Sequence, residues 1–168
     1  MPLTAPQKKV IKDDSRFRVL ITGRRFGKTY LAINELAKFA SQPNKKVWYV
    51  APSYRQAKAI CWGVLKEKMI HHKWVKNINH SDLTLTLKNN STITLRGSDN
   101  EQSLRGVGLD FLCIDEFADV NKDAWYEVLR PTLSDTKGHA LFCGSPRGFG
   151  NWSYELYKMG ETNKDWKS

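Results

Sequence analysis

Apolar positions along the chain alternate between two periodicities. Phe17-Arg18-Val19-Leu20-Ile21-Thr22 is short, β-rich and mostly apolar, as a buried strand is. From Lys28 to Ala40, Leu31, Ala32, Ile33, Leu36, Ala37 and Ala40 recur at helical spacing, with Asn34, Glu35 and Lys38 on the polar face. Gln42-Pro43-Asn44 breaks that helix. Val47-Trp48-Tyr49-Val50 predicts a second strand, and Arg55 to Met69 a second helix with Ser53 as N-cap. Leu83, Leu85 and Leu87, then Ile93 and Leu95, alternate with polar residues around Asn89-Asn90-Ser91, which predicts a hairpin with one apolar face. Gly97 to Asp110 reads as a loop, and Phe111 to Ile114 as a strand. Lys122 to Leu129 reads as a helix ended by Pro131. His139 to Cys143 reads as another strand and Trp152 to Lys158 as a last helix. Strands separated by helices require crossover connections. The expectation is one α/β domain over residues 1–168: a mainly parallel sheet flanked by helices, with a β-hairpin insertion near 83–96.

Composition narrows the class. The chain has 168 residues, 27 Lys plus Arg against 17 Asp plus Glu, and a formal net charge of +10. That charge suits a polyanionic partner such as nucleic acid, and equally suits general solubility. No apolar run approaches the roughly 18 residues of a membrane span, so no membrane association is expected. Met1 to Val10 lacks the apolar core of a secretion signal. Cys61, Cys113 and Cys143 are odd in number and widely spaced, which argues for reduced thiols in an intracellular setting.

Two segments carry chemistry. Thr22-Gly23-Arg24-Arg25-Phe26-Gly27-Lys28-Thr29 lies between a predicted strand and a predicted helix, where a phosphate-binding loop (Walker A) must sit. There, backbone N–H groups at a helix N-terminus cradle phosphate oxygens. Gly27 allows close backbone approach, Lys28 neutralises the β- and γ-phosphates of ATP, and the Thr29 hydroxyl serves Mg²⁺. The strict pattern wants Gly at position 22 and finds Thr22, so the loop deviates. Arg24 and Arg25 add positive charge beside the triphosphate. Phe111-Leu112-Cys113-Ile114-Asp115-Glu116 has four apolar residues followed by two acids, the Walker B pattern. Asp115 would hold Mg²⁺ and Glu116 would activate water. Gly144-Ser145-Pro146 ends another strand. Ser145 reads either as a sensor of the γ-phosphate or as part of a plain turn. These features define a P-loop NTPase of the RecA-like, additional-strand-glutamate type.

In this order the motifs resemble the ATPase domain of the large terminase subunit of tailed bacteriophages, over nearly the whole chain. Leu3-Thr4-Ala5-Pro6-Gln7 resembles the family's upstream motif, which implies that Gln7 reads adenine. Gly23 to Thr29 is similar to the arginine-bearing Walker A of terminases, with its loop arginine at Arg24. Tyr49 to Lys58 resembles a helicase-type segment. Trp125, Arg130-Pro131-Thr132-Leu133 and Gly144-Ser145-Pro146-Arg147-Gly148 resemble the stretch ending in the coupling motif. Ser103-Leu104-Arg105-Gly106 resembles the loop whose arginine enters a neighbouring subunit's site, which implies an arginine finger at Arg105.

The resemblance implies an ATP-hydrolysing, Mg²⁺-dependent motor for packaging viral double-stranded DNA. It also implies a portal protein and a small terminase subunit as partners, and a homo-oligomeric, pentameric ring. The expected location is the cytoplasm of the infected host, on the procapsid portal. The family's C-terminal nuclease would lie beyond Ser168, so no nuclease activity is expected of these residues. The other reading of the same motifs is a helicase-like or repair ATPase. A third is a nucleic-acid-binding module with a vestigial phosphate loop. His71, His72 and His80 lack a fourth ligand at zinc-like spacing and read as solvated. Lys66 to Lys76 is basic with interleaved apolar residues: either a face for DNA or a partner, or a solvated helix end with Trp74 in the core.

Overall fold

The computed structural model describes residues 2–168; Met1 lies outside them. One eight-stranded sheet runs through the chain: β1 (Phe17–Ile21), β2 (Lys46–Ala51), β3 (Val75–Asn79), β4 (Thr84–Leu87), β5 (Thr92–Gly97), β6 (Phe111–Asp115), β7 (His139–Gly144) and β8 (Trp166–Lys167). Their spatial order is β3-β4-β5-β2-β6-β7-β1-β8. From β5 to β8 every neighbour is parallel, while β4 runs antiparallel to both β3 and β5.

Both faces of the parallel part are covered, which explains its unbroken apolar runs. Val47, Tyr49 and Ala51 point to one face, with Phe111, Cys113, Leu141 and Cys143. Against them pack α2 (Lys28–Ala40) and a long helix. That helix starts as α3 (Tyr54–Ala57), continues π-helically over Lys58–Trp62 and ends as α4 (Gly63–His71). Trp48, Val50, Leu112, Ile114, Ala140 and Phe142 point to the other face. There they meet the π-helical Ala124–Leu129 segment and α6 (Trp152–Thr162). A short α1 (Ala5–Lys12) precedes β1. Ser53 caps α3 by accepting from the Gln56 N–H, as its sequence position suggests.

The structure adds α1, β3 and β8, which the sequence reading lacks, and departs from it at four further points. The 83–96 hairpin does not stand off the sheet, because β5 pairs in parallel with β2 over Lys46–Ala51 and so extends the core. Pro131 does not end the helix before it. The helix runs unbroken from the π-helical segment into α5 (Arg130–Thr132), so Pro131 lies in its last turn, one residue before its end. The 97–110 loop contains a 3₁₀ turn over Glu101–Leu104. Trp74 is 37% exposed, whereas the other five tryptophans are buried.

Candidate nucleotide site

The C-terminal ends of β1, β7 and β6 lie side by side, with Ile21 paired to Gly144 and Cys143 to Asp115. β7 therefore stands between the strand that feeds the phosphate loop and the strand that delivers the two acids. Neighbouring strands are about 4.8 Å apart, so the loop and the acids flank a gap of about 10 Å. Ligands of open parallel sheets bind at this edge.

The phosphate loop turns sharply between β1 and α2. Gly27 adopts φ +83° as the N-cap of α2, and a Cβ there would meet Gln7 Nε2 at 2.7 Å. Only glycine meets both demands without strain. Thr22 N–H donates to the Gly144 carbonyl at 3.0 Å, tying the loop to β7, and Thr22 Oγ1 is buried without a partner. Lys28 Nζ donates to the carbonyls of Thr22 and Gly23, both at 3.4 Å, and to Ser145 Oγ at 3.3 Å. The ammonium thus bridges the loop and the end of β7, and Ser145 joins the site rather than serving only as a turn. Arg24, Arg25, Lys28, Thr29 and Glu116 line one open cavity of about 550 Å³. Gly27, Tyr30, Ile33, Ile60 and Val64 complete its lining. Phe26 contributes its carbonyl to Gln7 rather than a side chain to the cavity.

Asp115 is buried at the end of β6. It accepts a 2.5 Å hydrogen bond from the Tyr49 hydroxyl and a 3.0 Å bond from the Glu116 N–H. Burial raises its pKa above the ordinary carboxylate value, against the opposing pull of these two donors and of the Lys28 charge. Burial and the neighbouring carboxylate drive the Tyr49 hydroxyl upward, so it stays a donor. Glu116 takes φ +47°, a left-handed conformation that strains a glutamate and that gathers at functional positions.

Gln7 lies where the resemblance places it, beside the loop, but its amide is engaged there. Nε2 donates to the Phe26 carbonyl at 2.8 Å, and Oε1 accepts from the Thr4 N–H at 2.9 Å within a capping box. Arg105 does not reach this cavity. It is exposed on the opposite face of the sheet from α2, beside a separate 340 Å³ cleft that contains Glu127 and Asp135.

Two features of the site escaped the sequence reading. Tyr49 as partner of Asp115 was signalled only by a fully buried phenol, which must find an acceptor. Ile60 and Val64 gave no local signal. They face the cavity from the helix's π-helical stretch and the turn after it, and π segments gather at functional sites. Among the described residues, no group of three His, Cys, Asp or Glu side chains could hold a metal ion.

Residues 19–164 match the family model of the terminase large subunit, T4likevirus-type, N-terminal. The chain belongs to the large terminase subunit family. The large terminase subunit of Escherichia phage T5 is 35% identical over 161 residues, covering 91% of this chain and 36% of that protein. The large terminase subunit of Thermus phage G20c is 28% identical over 177 residues, covering 92% of this chain and 36% of that protein. The chain therefore spans about a third of the length of these terminases. The solved ATPase domain of the Thermus phage P74-26 large terminase superposes with a TM-score of 0.85 at 27% identity, covering 100% of this chain and 80% of that one.

Proposed function

We propose that this chain is the ATP-hydrolysing motor domain of a large terminase, driving double-stranded DNA into a procapsid at the portal. The observation that carries the reading is the Lys28 ammonium. It is held between the phosphate loop and Ser145 at the sheet edge that also presents Asp115 and Glu116. Backbone N–H groups from Gly23 to Thr29 cradle the phosphates of ATP, and Lys28 moves from its carbonyl partners onto the β- and γ-phosphates. Glu116 orients the attacking water and takes its proton. Arg24 offsets charge on the transferring phosphoryl group, and Arg25 supports the same pole. Ser145 reports the state of the γ-phosphate to the segment after β7. Gln7 has one N–H and one lone pair beyond its two bonds, which suits the edge of adenine.

Mg²⁺ fits the residues present. Thr29 supplies a hydroxyl, and Asp115 is a buried carboxylate whose ionised form lacks a full counter-charge. Bound there, the ion would neutralise phosphate charge. Arg105 is proposed to act on a neighbouring subunit, a role supported by its exclusion from its own cavity. That role requires a ring, for which five subunits is the family expectation. A portal protein, a small terminase subunit and the host cytoplasm complete the proposal.

ATP turnover in Lys28→Ala tests it. The variant should lose turnover by about 100-fold or more, in line with losing one preorganised charge contact in the transition state. Turnover equal to the parent's would overturn the reading.

A further inference from the structure

The edge of the sheet opposite the nucleotide cavity carries its own cluster of charge. Between Glu67 and Asp82 the chain has no acidic residue, but it has Lys68, Lys73, Lys76 and three of its four histidines. The fold gathers part of this stretch. α4 ends at His71, the chain turns through His72 and Lys73, and β3 leads back along the sheet edge. Lys88, at the β4–β5 turn, donates its N–H to the Trp74 carbonyl at 2.8 Å. Lys73, Trp74, Leu87, Lys88 and Asn89 line one 290 Å³ cavity.

Three details point to a ligand. First, Lys73, Lys76 and Lys88 are exposed and make no ion pair among the described residues, although Lys73 and Lys88 share that cavity. Second, Lys73 occupies a position meant for glycine. Lys73 N–H donates to the Ile70 carbonyl and Trp74 N–H to the Met69 carbonyl, which is the Schellman end of α4. Lys73 thereby sits at φ +59°, where glycine or asparagine is at ease and lysine is strained. Third, the β3–β4 register shifts between Val75 and Asn77, so Lys76 is the extra residue of a bulge, a device that re-aims a side chain. Protection of an edge strand would account for Lys76. It accounts for neither the strained Lys73 nor Lys88.

We propose that Lys73, Lys76 and Lys88, with the exposed Trp74 indole beside them, form a backbone grip for duplex DNA. Its three ammonium groups neutralise successive phosphates, and the Trp74 indole Nε1–H is a further donor to phosphate. Phosphate contacts position a protein on DNA without reading sequence, which is the demand on a packaging motor. The choice of DNA as the polyanion rests on the motor reading. The grip lies at the far edge of the sheet from the nucleotide, so the two can be tested separately.

The test is anisotropy of a labelled 30-base-pair duplex across a salt series, without nucleotide. Replacing Lys73, Lys76 and Lys88 together by Ala should weaken binding about 10-fold or more at 0.1 M salt. It should also flatten the slope of log affinity against log salt by about 2.7, at about 0.9 per phosphate. Removing Lys12, Lys122 and Lys164, exposed lysines outside the patch, should leave most of that slope in place. Lys73→Gly relieves the strained backbone, so it should raise the melting temperature by about 2–4 °C while weakening DNA binding. Equal losses from the two triple variants would reduce the grip to bulk charge. Parental affinity and slope in the patch variant or in Lys73→Gly would overturn it. Loss of turnover in Lys28→Ala reports on the nucleotide reading alone, so a failure there is separable from a failure here.

Discussion

Asp115 and Arg105 are assigned to the same chemical step, yet the fold holds them in opposite ways. Asp115 ends a central strand, is buried, and is fixed by the Tyr49 hydroxyl and the Glu116 N–H. Arg105 lies exposed in a loop beside Gly106, whose φ is +76°, and makes no side-chain hydrogen bond or ion pair among the described residues. The carboxylate is positioned before any ligand arrives, as electrostatic preorganisation demands. In the proposed function, the arginine serves a surface outside its own subunit. On that proposal the site would be complete only when a second copy docks, which would tie hydrolysis to assembly.

The largest expected effect breaks the exposed side of that contrast. Arg105→Ala should lower turnover of the assembled ring by about 10³–10⁵-fold, the range for an arginine finger. Mixed with parent subunits, it should inhibit them beyond dilution. Strictly additive rates in mixtures, or a parent rate per subunit that is flat with concentration, would remove the trans role. Next comes the strained residue at the join. Glu116→Gln keeps size and hydrogen bonding but loses the base, so turnover should fall by about 10²–10⁴-fold. ATP affinity should hold within a few fold, because Glu116 makes no ground-state contact with phosphate in this reading. A matching loss of affinity would turn Glu116 into a binding residue.

A smaller effect probes the fixed side. Tyr49→Phe removes the donor at 2.5 Å from Asp115 without changing the packing of the ring. Groups that orient a metal ligand typically cost 10–100-fold in metal affinity when removed. The Mg²⁺ concentration for half-maximal turnover should therefore rise by about 10-fold, with turnover at saturating Mg²⁺ nearly restored. A fall in saturated turnover with unchanged Mg²⁺ dependence would place Tyr49 in the chemistry instead.

What the sequence disclosed follows the reach of each interaction. The phosphate loop is eight consecutive residues bounded by a strand and a helix, and it folds as it reads. β6 and its two acids are equally local. The Tyr49–Asp115 bond joins residues 66 apart in sequence, through strands whose adjacency no local pattern specifies. β3 was missed because the bulge at Lys76 interrupts its alternation, leaving Val75 and Ile78 out of step. Pro131 misled because it lies inside the last turn of a helix that runs one residue past it, where it does not mark the end. Arg105 was legible as a family position, but its face of the sheet was not, since the 97–110 loop crosses from one strand end to the other.

The smallest expected effect is thermal, and it follows from what fixing Asp115 costs. Burial raises its native pKa above that of the unfolded chain despite Tyr49, the Glu116 N–H and Lys28. The folded state then binds its proton more tightly than the unfolded state does. Stability linked to this group is fully present below the unfolded carboxylate value of about 3.9, and it is lost as pH rises through the native pKa. Asp115→Asn removes the titration and keeps one of the two acceptor oxygens, the loss of the other being a cost that does not vary with pH. In metal-free buffer its melting temperature should therefore gain on the parent's from about pH 4 upward, by a margin that widens and then levels. Subtracting the parent's curve cancels the other carboxylates, which both proteins share. Mg²⁺ with nucleotide should offset that gain, because a ligand that binds only the folded parent stabilises only the parent. A margin that stays flat, or narrows with rising pH, would mean that Tyr49, Lys28 and the Glu116 N–H together outweigh burial. The carboxylate would then rest at ease in the apo fold, rather than being held ready for a cation at a cost to stability.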